Sequence, residues 1–358
     1  MKLLYLPNEG AEGDQIGPRR AFERFHAEGR LSAYKAYSYL VRAQTLGNHR
    51  AALEELLSTA RGFAPDVIFV QHMTDSYPVD RIFLQQLKNL PSRPRLVLWE
   101  GDAYGTFFKP LDATLKTVMA ASDMVFLVGL GYLADAARKA GATNIRFSPH
   151  SFDSERFGLP WEPSRFRPLD IVMIANLHRI KRIPGLYLPG GRQRQQLAKV
   201  LFESLGERFA VYGAGKGWDG KPYMRGPIPF HLQSEMTRSA WMSISWDHFY
   251  TLPLYTSDRL MISLANGVPF LTNRQPGYEL VFGGIPGLYC FDTAKEAVDI
   301  ARYLLSMPVD RRIEIGMAAS KHMIRHFHAD QIYGDVMQVV SDEFFNSDQE
   351  ISRATSGD

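Results

Sequence analysis

Short, unalternating apolar runs rich in β-branched and aromatic residues alternate with segments of helical period along most of the chain. In the first part, 2–7, 33–39, 66–72, 95–99, 124–128 and 145–148 read as strands. Between them 17–28, 51–61, 80–88, 111–121 and 131–140 read as helices, and Leu53, Leu56, Leu57 and Ala60 show the helical spacing in the second. Apolar strands separated by helices specify a parallel sheet covered on both faces. A proline-broken stretch, 158–168, interrupts the rhythm and reads as a linker. Strands at 170–175, 209–212, 242–246, 268–272 and 288–291 follow, with helices at 193–205, 232–239, 258–265, 278–282 and 294–306. Two last helices, 310–327 and 330–345, precede a polar tail, 346–358, expected to be disordered.

The expected fold is α/β, with two doubly wound, Rossmann-like domains over 1–160 and 168–329 and the helix 330–345 packing back on the first. In open sheets of this kind ligands bind outside the carboxyl ends of the strands, so the two sheets are expected to face a central cleft. A length of 358 residues fits two cores better than one. Apolar residues make up 45% and charged ones 22%, which sets the chain apart from disordered sequences. No apolar run approaches the roughly 20 residues that span a bilayer, and the first residues read as a core strand, not an export signal. The single cysteine, Cys290, excludes an internal disulfide framework and any Cys-cluster zinc site. These features point to the cytoplasm. A net charge of +3 suits a small anionic substrate, or the inner face of a membrane, and carries no Lys/Arg run of the nucleic-acid type.

The segment from Tyr255 to Thr272 holds the densest chemistry. Thr256, Ser257, Asp258 and Arg259 open an apolar helix, Gly267 can end it in the left-handed conformation, and a strand follows at once. A helix N-terminus and an arginine at a sheet edge suit a phosphate or diphosphate. Ser257 as a plain N-cap and Arg259 as a surface or inter-helix ion-pair residue are the alternative.

This pattern resembles the R-x-x-E-A-L-A-x-G-x-P run with which GT-B glycosyltransferases of group 1 bind a nucleotide-sugar. With Pro276, Gly277, Tyr278, Glu279 and Phe282 downstream, it is most similar to the spore-maturation subgroup and its G-x-E-x-x-F element. The resemblance implies that the first domain binds acceptor and the second a nucleotide-diphospho-sugar, without a metal or other cofactor. It further implies Arg259 on the diphosphate with Thr256 and Ser257 beside it, Arg179 and Lys181 (or Arg182) neutralising the leaving group, and Gly213 and Gly215 ending the base-binding strand. A plain turn is the alternative for the glycines and a solvated loop for the basic residues. The large retaining group carries two glutamates that this chain replaces with Leu254 and Ile262. Isoleucine cannot accept the ribose hydrogen bonds, so Asp258 or Glu279 is expected to substitute, or the ribose is held differently, or the donor is not the family's usual one.

Other candidates end strands or line loops at the expected cleft. Asp102 is the first choice as general base toward an acceptor hydroxyl, and His72 the second, with a structural histidine as its alternative. Gly10 and Gly13, Glu100, His150, Asp247 and His248 are read as acceptor-contacting or cleft-lining. The expected activity is transfer of a sugar from a nucleotide-diphospho-sugar to a hydroxyl of a glycan, lipid-linked or small-molecule acceptor. A sugar-nucleotide epimerase of the same fold and a non-catalytic nucleotide-sugar binding protein are the alternatives.

Overall fold

The six apolar runs of the first part form a parallel sheet. Its strands are β1 Lys2–Leu6, β2 Ala33–Ala36, β3 Val67–Gln71, β4 Arg95–Glu100, β5 Met124–Leu127 and β6 Ile145–Phe147, in the order β2-β1-β3-β4-β5-β6. Helices α1 Ile16–Ala27, α2 Tyr39–Leu46, α3 His49–Phe63, α4 Arg81–Lys88, α5 Ala113–Ala121 and α6 Tyr132–Ala140 connect them. Short polar side chains start three of these: Asn48 accepts from Arg50 N, Asp80 from Phe83 N and Asp112 from Leu115 N, at 2.7–2.8 Å. The strand expected over 33–39 stops pairing at Ala36, and the chain turns into α2, which the sequence reading missed. Only Tyr39 and Ala43 are buried in that helix, too few apolar positions to show a period.

The computed structural model describes residues 1–77, 79–157, 162–177, 180 and 186–346. Its contacts divide the chain into two units, and the first takes Met1–Thr106, Pro110–Pro149 and the chain from Ala329 onward. The second takes Phe107–Lys109 and His150–His328, where the sequence suggested 168–329. The short helix α7, Ser154–Phe157, explains why: Phe157 O accepts from Ser234 Oγ at 3.0 Å, and Phe152 N donates to Phe327 O.

In the second unit the strands β7 Leu169–Ile174, β8 Phe209–Tyr212, β9 Ala240–Ser245, β10 Phe270–Asn273 and β11 Leu288–Phe291 are also parallel, in the order β11-β10-β9-β7-β8. Helices α8 Gly191–Leu205, α9 Gln233–Arg238, α10 Asp258–Ala265, α11 Tyr278–Phe282, α12 Ala294–Ser306 and α13 Val309–His326 complete it. Gly267 ends α10 at φ +65, with Gly267 N bonded to Leu264 O and Val268 N to Ser263 O. That is the paired 5→2 and 6→1 bonding of a left-handed cap. On α13, a Cβ at Gly316 would lie 2.2 Å from Gly267 O. Gly316→Ala is therefore expected to cost about 1–3 kcal/mol, read as a lower urea midpoint. An unchanged midpoint would mean that α13 can move off α10 freely.

The last helix, α14 Ala329–Ser341, belongs to the first unit. Tyr333 meets Phe22 of α1 edge-on at 5.5 Å, and Asp330 pairs with Arg24. Residues 347–358, most of the expected tail, lie outside the described residues, as do 158–161 of the expected linker. Among the described residues no helix is long and apolar enough to cross a membrane.

Candidate functional site

The two strand orders locate each unit's ligand edge. In the second unit the chain runs outward in opposite directions from β7 and β9, so their carboxyl ends part at a switch point, where open sheets bind ligands. Gly190 and the first turn of α8 sit there. Gly190 N donates to His248 O at 3.1 Å, and a Cβ on Gly190 would lie 2.2 Å from Asp247 O. From that turn Arg194, 1% exposed, reaches both strand ends. Its Nε and Nη2 donate to Trp246 O at 2.9 and 2.6 Å, and its Nη1 donates to Asn176 O at 2.5 Å and His248 Nε2 at 3.0 Å. Burial lowers the guanidinium to about 9, and the charge of Arg259 adds to the fall.

Asp247 lies beside it, buried. Its backbone N donates to Asn273 Oδ1 at 2.7 Å, and its Oδ2 accepts from Gln275 Nε2 at 2.8 Å. Burial pushes the carboxyl up, while Arg259 and Arg194 pull it back. The N-terminus of α10 completes this edge. Ser257 occupies the N-cap position, but its hydroxyl makes no capping bond. Thr256 Oγ1 accepts from Tyr278 OH at 3.2 Å. Arg259, half-buried in the first turn, has neither an ion pair nor a hydrogen bond among the described residues, and its Nε is buried. Ser257 thus holds the N-cap position without a side-chain capping bond, and half-exposed Arg259 makes no ion pair among the described residues.

In the first unit the switch point falls between β1 and β3. The loop after β1 folds around Glu9. Its carboxylate accepts from Gly13 N (3.2 Å) and Ser38 Oγ and pairs with Arg19. Burial pushes Glu9 up, but the bonds from Arg19 and Ser38 more than offset it and hold the carboxyl low. Gly13 adopts φ +90, and Gly10 is exposed. After β3, His72 takes a left-handed φ of +44, unusual for a residue with a Cβ. Its Nδ1 lies 2.6 Å from Oε1 of Glu100, the last residue of β4, which is wholly buried. The same Oε1 accepts from Asp102 N at 2.8 Å, and Oε2 is buried without a partner. Burial raises the Glu100 carboxyl, and His72 opposes that rise. Tyr104 stacks near the His72 ring at 6.3 Å and donates to Asp102 Oδ2 at 3.3 Å. Asp102 itself is exposed.

Residues 192–338 match a family model described as glycosyl transferase-like. That stretch, less than half of the chain, is similar to the family. No curated protein matches the sequence. Solved structures share the fold over nearly the whole chain. Anabaena HepE in complex with UDP and glucose is 13% identical, with a TM-score of 0.56, over 96% of this chain and 100% of that one. A glycosyltransferase from Rickettsia africae is 8% identical at a TM-score of 0.61, over 96% and 98%. Sucrose-phosphate synthase from Thermosynechococcus elongatus is 11% identical at 0.60, over 96% and 99%. At such identities the likeness establishes the fold, the GT-B arrangement of two Rossmann-like units expected from the sequence. The enzyme class expected from the sequence, a glycosyltransferase, is the class that the family model names.

The match to the glycosyl transferase-like domain spans α8 through α13 and enters α14. Arg194, Asp247, His248, Thr256, Ser257, Asp258 and Arg259 come together at one sheet edge within it. Asp258 opens α10, whereas Glu279 is exposed on α11. Ile262 is buried in α10, and Leu254 stands at φ +62. Gly213 and Gly215 approach the protein's own chain: Cβ atoms there would lie 2.2 and 2.3 Å from the carbonyl oxygens of Ala175 and Leu177. Arg179 and Lys181, with Arg182, lie outside the described residues. His150, half-buried, opens the main segment of the second unit, His150–His328. The sequence reading missed Arg194, Asn273 and Gln275. The one available signal was the Gly190-Gly191 pair opening a helix with an arginine in its first turn.

Proposed function

We propose that the protein transfers a sugar from a nucleotide-diphospho-sugar to an acceptor hydroxyl, with the donor diphosphate at the N-terminus of α10. The observation that carries this is Arg259, a half-buried arginine with no hydrogen bond or ion pair among the described residues, in the first turn of a helix at a sheet's carboxyl edge. Its guanidinium has N–H groups that no described residue accepts from, and an anionic ligand can accept them. Arg194 adds a second positive charge behind it. Negative charge grows on the diphosphate as the glycosidic bond breaks, so positive charge fixed beforehand favours the transition state over the ground state. The backbone N–H groups of the first turn of α10 add to that field. Glycan, lipid-linked and small-molecule acceptors all fit this reading, and so does a protein at the inner face of a membrane.

Titration calorimetry with UDP, GDP, ADP, CDP and dTDP tests it. One nucleoside diphosphate should bind selectively, and Arg259→Ala should weaken that binding by about 1.5–3 kcal/mol, or about 10- to 150-fold. Unchanged affinity in a folded variant removes Arg259 from the site. Absence of binding to any of the five rejects the donor reading.

A further inference from the structure

We propose that the amino-terminal edge of the second unit's sheet holds an anion site, in which Arg167 and Arg312 grip a phosphate group beside Trp241. The site lies at the opposite end of β7 and β9 from Arg194 and Arg259, a strand length of roughly 20 Å away. It is independent of the donor reading.

Three segments build this edge. Arg167 precedes β7 by two residues, and Leu169 pairs in register with Ala240, the first residue of β9. That register brings the Arg167 side chain to β9, where its Nη1 donates to Ala240 O at 2.7 Å. Trp241 follows, 6% exposed, and the Arg167 guanidinium lies 4.9 Å from the centre of its ring. Arg312 reaches the same ring from the start of α13, at 4.0 Å. The N-cap position of that helix is Pro308, so the N–H groups of its first turn have no side-chain cap.

Cation–π attraction holds both guanidiniums on the indole, but the ring neutralises neither. Arg167 is 4% exposed, and its Nε is buried without a hydrogen-bond partner. Arg312 is half-buried and its Nε is likewise buried without a partner. Its guanidinium makes no hydrogen bond or ion pair among the described residues. The nearby carboxylates are engaged elsewhere: Asp170 with Arg208 at 2.5 Å, Asp310 with Arg165. Arg238, a third cation here, donates to Asn266 Oδ1 at 2.5 Å, and Glu235 favours its charge. Burial lowers the Arg167 guanidinium to about 10, and the charges of Arg312 and Arg238 act in the same direction. Burial also lowers Arg312, while Asp170 opposes that fall and Arg208 adds to it. Both guanidiniums stay charged at neutral pH. Like charges therefore crowd one ring with no carboxylate bonded to either.

A phosphate answers this arrangement. Guanidinium N–H groups bind its oxygens in forked, charge-assisted bonds, and a dianion suits two arginines better than the single charge of a carboxylate. The N–H groups at the start of α13 add further donors. Arg312 keeps part of its surface in solvent, which leaves the pair open to a ligand. Phe166, 78% exposed, stands next to Arg167 in the chain. A free phosphate ester and an anionic lipid headgroup share this chemistry.

Calorimetric titration of the full chain with inorganic phosphate, in chloride at constant ionic strength, tests the site. Binding is expected in the wild type and should be retained in Arg259→Ala, which removes the donor-edge arginine. Arg312→Met leaves an aliphatic stem on Trp241 without donors and should weaken binding about 10- to 150-fold. Arg312→Lys keeps the charge but not the fork, and should fall between the two. Circular dichroism checks that each variant is folded. Co-sedimentation with phosphatidylcholine vesicles, with and without phosphatidic acid, separates the two sources. Retention only on vesicles with phosphatidic acid, lost in Arg312→Met, assigns the site to a headgroup with Phe166 at the bilayer surface. Binding of free phosphate without retention assigns it to a soluble phosphate ester. No heat from phosphate together with no retention overturns the proposal. So does equal affinity of wild type and Arg312→Met for either probe. Loss of phosphate binding in Arg259→Ala overturns it too, because the phosphate would then sit at the donor edge. The probe is phosphate and not a nucleotide, so failure of the donor reading leaves this result standing.

Discussion

Arg194→Met is expected to destabilise the second unit by about 3–5 kcal/mol, the range for removing one partner of a buried charged network. Methionine fills much of the arginine's stem but donates nothing. Trp246 O would lose two donors, and Asn176 O and His248 Nε2 one each. Each buried acceptor left bare costs about 1–3 kcal/mol. Two effects reduce the sum: the guanidinium no longer has to be desolvated, and its repulsion with Arg259 disappears. For a unit of this size the net loss should lower the melting temperature by roughly 10 °C, followed by circular dichroism. A shift below about 2 °C would mean that water enters and takes over the carbonyls, so that Arg194 does not hold the two strand ends together. The same variant separates structure from binding. If the arginine also acts through its charge, nucleoside diphosphate affinity should fall below wild type at temperatures where both proteins are fully folded.

What was legible in the sequence was local. Helix 258–265 and its cap at Gly267 were readable because capping and left-handed backbone are decided within a few residues. Thr293, accepting from Glu296 N at 3.1 Å, marks the start of α12 in the same way. The strands showed as apolar runs because both faces of each sheet are covered. The candidate site was legible only where one residue announces its own chemistry, as at Arg259 or at the strand-ending His72 and Glu100. Their pairing was not, because 28 residues separate them and no pattern in either strand specifies the partner. Arg194 was less visible still. A polar residue in the first turn of an amphipathic helix ordinarily faces solvent, and this one matters through carbonyls 52 residues away. Leu254 and Ile262 stand where the resemblance leads one to look for carboxylates. Ile262 is core, and Leu254 holds a left-handed backbone with its side chain 3.0 Å from the Cβ position of Gly277. Neither is a conservative replacement for a ribose-binding glutamate, so any contact to the ribose must come from elsewhere.

Gly215→Ala is expected to cost about 2–4 kcal/mol in the ligand-free protein, and this loss bears on why the glycine is there. Two penalties combine. At φ +118 an alanine is strained by about 1–3 kcal/mol. Its Cβ would also lie 2.3 Å from Leu177 O and 2.9 Å from Leu177 C, atoms of a backbone that cannot rotate aside as a side chain can. Leu177 N donates to Ala214 O at 2.8 Å and Ala214 N to Asn176 Oδ1 at 2.8 Å, so the exits of β7 and β8 are laced together. Pushing them apart breaks those bonds or forces the strain to remain. From sequence, the glycine reads as room for a base or a phosphate. The geometry gives it a prior task, letting two chain segments cross in contact beside the switch point. Urea unfolding of the ligand-free variant, paired with calorimetric titration of the nucleoside diphosphate, distinguishes the two. Lower stability without ligand, accompanied by weaker binding, is expected if the crossing shapes the edge on which the donor rests. Unchanged stability with binding alone impaired would mean that the glycine serves the ligand directly, and that the loop after β8 yields more readily than its hydrogen bonds imply.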